Sequence, residues 1–258
     1  MVLIDTHCHL YAEEFADDRD LMIERAKQAG VQHMYLPAID SNHTESMLQV
    51  EAQHPGTCFA MMGLHPCYVN EQVDAELKHV QEWLDKRKFI AVGEIGLDHY
   101  WSTAFAAQQV EAFNQQMQWA LEKDLPVVIH TRNAMQETID LVKPFAAKGL
   151  KGVFHCFSGS RESAEQIIQM DFMLGIGGVI TYKSAKLPEV IRHIPVEYLI
   201  LETDAPYLTP VPHRGKRNES AYVRLVLDQV ANALEKSPEE IALTTTQNAL
   251  RLFKTELV

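Results

Sequence analysis

His7 and His9 stand two residues apart in Asp5-Thr6-His7-Cys8-His9-Leu10. On an extended strand both imidazoles leave the same face while Cys8 leaves the other, so two nitrogen ligands can reach one cation. Glu94 follows in Val92-Gly93-Glu94-Ile95-Gly96, where an apolar strand delivers a single carboxylate between two glycines. A carboxylate buried without a partner is costly, so Glu94 needs a cation or hydrogen-bond donors, and its two oxygens can bridge two metals. His130 ends Pro126-Val127-Val128-Ile129-His130, and His155 ends Gly152-Val153-Phe154-His155. One histidine after an apolar run is more often a satisfied core residue. Two on neighbouring strands beside Glu94 are better explained as a shared, nitrogen-rich metal site. In Leu199-Ile200-Leu201-Glu202-Thr203-Asp204 the two carboxylates share a face. Asp204 is placed to bind a cation and to hydrogen-bond its water; Glu202 either orients a ligand histidine or forms a salt bridge inside the fold.

These residues lie far apart in sequence and need a scaffold that gathers strand ends. Short apolar runs at Val2–Asp5, Gln32–Ala38, Cys58–Gly63, Ile90–Glu94, Pro126–His130, Gly152–His155, Phe172–Ile176 and Tyr198–Glu202 read as strands. Amphipathic segments separate them, at Asp18–Gln28, Thr44–Gln53, Asp74–Lys86, Ala106–Glu122, Ala134–Ala147, Glu162–Met170, Lys186–His193 and Ala221–Leu234. Such alternation closes most naturally into a (β/α)₈ barrel, whose active site lies at the carboxyl ends of the strands. An open doubly wound sheet is the competing architecture. Gly30 and Gly149 sit where left-handed helix ends are needed. Ser237-Pro238-Glu239-Glu240 opens one additional C-terminal helix, combining a capping serine, a first-turn proline and a capping-box glutamate.

The length of 258 residues and 47% hydrophobic content suit one domain spanning 1–258, and no linker or low-complexity stretch interrupts the series. No apolar run is long enough to span a membrane, and the first residues lack the regions of a signal peptide, so a soluble, cytoplasmic protein is expected. Cys8, Cys58, Cys67 and Cys156 form no CxxC pair and read as reduced thiols. Strand alternation points Cys8 and Cys156 away from the neighbouring histidines. A net charge of −12 argues against a basic coat for nonspecific duplex binding. A phosphate substrate remains compatible with it, because bound cations change the local charge.

The motifs Asp5–Leu10, Gly63-Leu64-His65-Pro66, Gly93–Asp98, Leu125–His130, His155-Cys156-Phe157-Ser158-Gly159, Glu202–Leu208 and Arg214–Glu219 resemble, in order and over essentially the whole chain, the TatD-type metal-dependent deoxyribonucleases of the amidohydrolase superfamily. The resemblance implies a barrel with two divalent cations. His7, His9, Glu94 and Asp204 would hold the first; Glu94, His130 and His155 would hold the second. At Asp98-His99-Tyr100-Trp101 the chain departs from the family, which more often has an aromatic residue at 99 and a basic one near 101.

On this reading the reaction is metal-assisted phosphodiester hydrolysis, with Glu94 shared by the cations and Asp204 orienting or deprotonating water. Histidine-rich ligation favours zinc or manganese, while the carboxylates leave magnesium open. His65, Arg132 and Arg214 are candidate substrate contacts, with Arg161, Lys183, Lys216 and Arg217 as further loop cations. Tyr100 and Trp101 could stack on a base or pack as a lid. The expected substrate is nucleic acid, foremost single-stranded DNA ends and also RNA, attacked in the 3'-5' direction, with no obligate protein partner. Two other readings compete: an ester or amide hydrolase such as an aminoacyl-tRNA deacylase, and a non-catalytic metal-binding scaffold.

Overall fold

The structure is a computed structural model that describes residues 1–257. Its strands are β1 (Leu3–Asp5), β2 (Val31–Leu36), β3 (Cys58–Ala60), β4 (Val92–Asp98), β5 (Val127–Arg132), β6 (Gly152–Phe154), β7 (Met173–Ile176) and β8 (Leu199–Leu201). Between and after them run α1 (Arg19–Gln28), α2 (Thr44–Gln53), α3 (Val73–Lys86), α4 (Ala106–Glu122), α5 (Met135–Ala146), α6 (Arg161–Gln169), α7 (Leu187–Ile191), α8 (Val223–Leu234) and α9 (Pro238–Phe253).

Strands pair in parallel and in chain order, β1 to β3 in one ladder and β4 to β8 in another. Backbone bonds bridge both seams. Between β3 and β4, Met62 N–H donates to Ala91 O at 3.2 Å and Gly93 N–H donates to Met62 O at 3.0 Å. Between β8 and β1, Thr6 N–H donates to Leu201 O at 3.1 Å, Asp204 N–H to His7 O at 2.9 Å and His9 N–H to Ala205 O at 2.7 Å. The ring is therefore closed, as the alternating pattern predicts, and the second seam brings His7, His9 and Asp204 together.

Ile4, Tyr35, Met61, Ala91, Val128, Val153, Met173 and Ile200 fill the inside of the barrel, one from each strand or its immediate extension. A larger apolar layer lies between strands and helices. α9 does more than append a helix. It seals the amino-terminal end of the barrel, with Leu252 and Phe253 in the interior cluster and the Phe253 ring 4.8 Å from that of Tyr35. Polar bonds fix its height: Asn248 Nδ2 donates to Val196 O at 2.9 Å and Leu199 O at 2.8 Å, and Thr246 Oγ1 donates to Val2 O at 3.0 Å. At its start, Ser237 Oγ accepts Glu240 N–H at 3.1 Å. The expected reciprocal bond is replaced, because the Glu240 carboxylate pairs with Lys236.

Two strands run further than the sequence pattern suggests. β4 continues past Glu94 to Asp98, and β5 past His130 to Arg132. Gly96 makes this possible: at φ +144° it faces His130 so closely that a Cβ would collide with the His130 carbonyl. The extension carries Asp98 and Arg132 up to the mouth. Among the described residues, no helix is long and apolar enough to cross a membrane.

Since Phe253 is 2% exposed and fills the end of the barrel, Phe253→Ala is expected to cost about 3–5 kcal/mol in chemical denaturation while leaving cation affinity unchanged. A loss of cation affinity as large as the loss of stability would show that the plug also shapes the mouth.

Candidate metal centre

Glu94 is 2% exposed, and its two oxygens divide the surrounding histidines. Oε2 lies 3.1 Å from His7 Nε2 and 3.7 Å from His9 Nε2. Oε1 lies 2.9 Å from His130 Nδ1, 3.0 Å from His155 Nε2 and 3.3 Å from His65 Nε2. Asp204 Oδ1 joins the first group, 3.7 Å from His7 Nε2 and 3.5 Å from His9 Nε2. His7 and His155 stack at 3.8 Å and connect the two groups. All six residues expected to hold cations therefore converge. Three overlapping sets place their donor atoms within 4.8 Å of one another: His7 with His155 and Asp204, His7 with His9 and Glu94, and His65 with Glu94 and His130.

Whether these donors suit a cation depends on which ring nitrogen carries the proton. Tyr11 Oη donates to Pro37 O at 2.6 Å, and a carbonyl can only accept. At 2.9 Å from His9 Nδ1 the same hydroxyl must therefore accept, which places the His9 proton on Nδ1 and frees Nε2 toward Glu94 and Asp204. Asp98 Oδ2 accepts from His130 Nε2 at 2.8 Å, leaving Nδ1 directed at Glu94. Glu202 Oε1 sits 3.3 Å from His155 Nδ1, off the axis of a hydrogen bond, and accepts Cys156 N–H at 2.5 Å. The inner nitrogens His9 Nε2, His130 Nδ1 and His155 Nε2 all face the two carboxylates, and once their displaceable protons are lost the donor set fits divalent cations.

His65 is different. Its Nδ1 accepts the Cys67 backbone N–H at 3.0 Å, so the proton sits on Nε2 and faces the site as a donor. Despite its place in one of the three sets, His65 in this tautomer presents an N–H donor, not a lone pair, to the site.

Burial works against charge throughout the cluster. At Glu94 it is outweighed by His155, His65 and His7, which hold the carboxyl well below the usual range. At Asp204 it is outweighed by the neighbouring imidazoles of His9, His155 and His7. His7 and His65 are pushed down by burial, which their contacts with Glu94 only partly offset. Both carboxylates are thus ionised and ready to act as ligands or bases.

The backbone aims several of these groups. Asp204 adopts φ +58°, an uncommon conformation for a non-glycine residue. The preceding residue is anchored: Thr203 N–H and Oγ1–H both donate to Asp5, at 2.9 and 2.6 Å, and Asn218 Nδ2 donates to Thr203 O at 2.8 Å. Asp5 is buried, with its carboxyl pushed up to about 7 by desolvation that these bonds moderate. Glu202 is fully buried in space left by Gly175, where a Cβ would strike its carboxylate. Of the two roles considered for it, the barrel salt bridge is not formed: among the described residues its charged neighbour is His155, not lysine or arginine.

Above the floor opens a cavity of about 760 Å³. His65 and Arg132 line it, with Tyr68, Trp101 and Tyr207 along its walls. The Arg132 guanidinium lies 3.6 Å from the Tyr100 ring centre and 5.4 Å from that of Trp101. Arg214 is not part of this wall; its guanidinium lies over Tyr182 at 3.8 Å. Arg161 pairs with Glu165, and Arg217 with Asp18. Cys8 is buried and faces Tyr35 O, as alternation predicts. Cys156 instead lines the cavity, because β6 has ended and Cys156 turns at φ +46°, where alternation no longer applies.

Residues 4–254 match the TatD related DNase family. The chain belongs to the TatD family. It is a metal-dependent hydrolase acting on ester bonds. The uncharacterized metal-dependent hydrolase YabD of Bacillus subtilis is 40% identical over 255 residues, covering 98% of this chain and 99% of the relative. The 3'-5' ssDNA/RNA exonuclease TatD of Erwinia tasmaniensis is 34% identical, covering 97% and 99%. The crystal structure of YJJV, a TatD homolog from Escherichia coli K12, superposes with a TM-score of 0.93 at 32% identity and covers 98% of each chain. The (β/α)₈ barrel expected from the strand pattern is thus the fold observed, with α9 as the additional C-terminal helix.

Tyr11, Asp98, Asp5 and Asn218 support the site without having been singled out for it from sequence. Asp98 had a usable signal, since Glu94 and Asp98 fall on the same face of an extended strand. Tyr11 had none, because its partner is the carbonyl of a residue on another strand's extension.

Protons compete with cations here. Burial opposes charge on His155 and His130, but Glu94 and Glu202 outweigh it at the first, and hydrogen bonds to Asp98 and Glu94 at the second, so both stay above the ordinary value of 6.5. In cation-free protein this contributes stability that is present below 6.5 and lost as pH rises through the raised values. Cation binding must displace these protons, so affinity is expected to fall as pH drops from neutrality. Calorimetric Zn²⁺ titrations in buffers of differing ionisation enthalpy should show net proton release near neutral pH; a heat independent of buffer would contradict the assignment.

Proposed function

We propose that this TatD-family hydrolase cleaves phosphodiester bonds at the 3' ends of single-stranded DNA, and of RNA, using two divalent cations. The observation that carries this reading is the division of five histidines between the two oxygens of Glu94, beneath an open cavity edged by a histidine N–H donor, an arginine and exposed aromatic rings. When bound, such cations polarise a phosphoryl oxygen and ease the loss of a proton from water.

The chain's own groups supply the rest. His7, His9, Glu94 and Asp204 would hold one cation, and Glu94, His130 and His155 would hold the other. Asp204 is ionised and stands at the edge of the cavity, where Oδ1 can take a proton from attacking water. His65 Nε2–H donates to a phosphoryl oxygen, and Arg132 offers a charge-assisted contact to the next phosphate. Trp101 is 70% exposed and Tyr207 53% exposed, so unpaired bases have faces to stack on. A cavity at the barrel mouth with aromatic walls suits a strand end with unpaired bases rather than an intact duplex. The relative named 3'-5' ssDNA/RNA exonuclease supports both the strand preference and the polarity. Four cysteines, all free, fit a reducing cytoplasm.

The decisive experiment assays cation-loaded protein on end-labelled single-stranded DNA, RNA, duplex DNA and a panel of carboxylic esters and amides. Stepwise loss of nucleotides from the 3' end of single strands is expected. Turnover of carboxylic esters or amides alone would overturn the reading. Asp204→Asn should lower kcat by about 10²-fold or more with KM little changed; unchanged turnover would remove Asp204 from proton transfer.

A further inference from the structure

Asp98 ends β4 with its two carboxylate oxygens in different service. Oδ2 accepts His130 Nε2–H at 2.8 Å, while Oδ1 accepts the backbone N–H groups of Tyr100 at 2.9 Å and Trp101 at 3.3 Å. The side chain is 1% exposed. Burial opposes its charge, but the bonds from His130 and the Tyr100 amide outweigh it and hold the carboxyl well below the usual range. Its backbone is equally fixed. Gln109 on α4 accepts Asp98 N–H at 2.9 Å and donates to Asp98 O at 3.2 Å.

One rigid carboxylate thus does two things at once. By holding a proton on His130 Nε2, it leaves Nδ1, which lies 2.9 Å from Glu94 Oε1, as the nitrogen that can give up its proton to a cation. By accepting both amides, it shapes the turn that presents Tyr100 and Trp101, 51% and 70% exposed, beside Arg132.

We propose that Asp98 is a positioning residue that couples the cation held by Glu94 and His130 to the Tyr100–Trp101–Arg132 wall, so that cation binding and the ordering of this wall for an unpaired nucleobase favour each other. The inference rests on the two-cation reading above. Coupling of this kind is reciprocal: whatever cation binding gains from an ordered wall, the wall gains from the cation.

Asp98→Asn separates the two services. Asparagine has one oxygen and one amino group in the same volume. If the oxygen serves the turn, the amino group faces His130 Nε2 and forces the proton onto Nδ1. If the oxygen serves His130, two backbone N–H groups face an amino group and the turn opens. The test titrates chelator-treated full-length protein with Zn²⁺ by calorimetry, while Trp101 emission is followed by difference against Trp101→Phe. Wild-type protein is expected to bind two Zn²⁺ with a change in Trp101 emission. Asp98→Asn should weaken one site by roughly 10- to 100-fold, spare the other and lose the emission change. Wild-type protein binding fewer than two Zn²⁺ overturns the two-cation reading and this one with it. Two sites in wild type that persist unweakened in Asp98→Asn overturn the coupling alone, as does a weakened site whose emission change survives. Should Asp98→Asn fail to fold, Trp101→Pro at the exposed turn deletes one amide that Oδ1 accepts; several-fold weakening of one site supports the coupling, and unchanged binding at both overturns it.

Discussion

A buried, ionised glutamate at the centre of the barrel mouth sets the terms for the rest of the structure. Glu94 reaches the floor of the cavity on an apolar strand and has exchanged water for imidazoles at 2.9 to 3.7 Å. A carboxylate in that position is tolerable only if groups on every side present positive charge, protons or metal. The barrel answers the geometric half of this demand. Parallel strands ending at one rim let residues as distant in sequence as His7 and Asp204 approach the same carboxylate, and the β8–β1 seam fixes their spacing through backbone hydrogen bonds. The electrostatic half falls to a second layer. Tyr11, Asp98 and the Cys67 amide each engage the outer nitrogen of one histidine, and so decide whether the inner nitrogen offers a lone pair or a proton.

That second layer separates His65 from its neighbours. Distance alone groups it with Glu94 and His130 as a metal-binding set. Direction of hydrogen bonding says otherwise, because a backbone amide cannot accept, and its donation to Nδ1 leaves Nε2 protonated. A histidine of this kind complements an anion arriving above the cations. The same chain, acidic overall at −12, thereby presents a cavity whose edge carries an imidazole N–H and a guanidinium. Net charge governs long-range approach; the local set of donors governs what stays.

How much of this was legible in the sequence follows from the range of each interaction. The strand-end histidines and carboxylates stand out because each is the first polar side chain after an apolar run, and period-two alternation correctly pairs His7 with His9. Alternation fails at Cys156, since the strand ends at Phe154 and Cys156 itself adopts a left-handed conformation. It is silent about Tyr11, whose hydroxyl answers to Pro37, and about the length of β4, which continues because Gly96 admits the His130 backbone. Arg214 illustrates the limit for loops: residue type made it a plausible phosphate contact, whereas its position over Tyr182 is a tertiary fact. α9 was visible as a helix through its Ser-Pro-Glu-Glu start, but its function as a plug depends on which end of the barrel is open.

The two ends of the barrel therefore carry opposite burdens. At the mouth, His7 and His65 are driven toward neutrality while His130 and His155 are driven toward charge, and two of the buried polar atoms left without a hydrogen bond are His7 Nδ1 and His155 Nδ1. In the absence of cations compensation is uneven: burial prevails at His7 and His65, while Glu94, Asp204, His130 and His155 support one another's charge. At the other end, Phe253, Tyr35, Val128 and Ile200 form an apolar interior closed by a capped helix. Apolar packing there offsets the polar atoms left unpaired at the mouth, which is the arrangement expected when a site must stay receptive to metal and substrate. A cation bound at the mouth would replace displaceable protons with fixed charge and so would add its binding free energy to the stability that the packed end supplies independently.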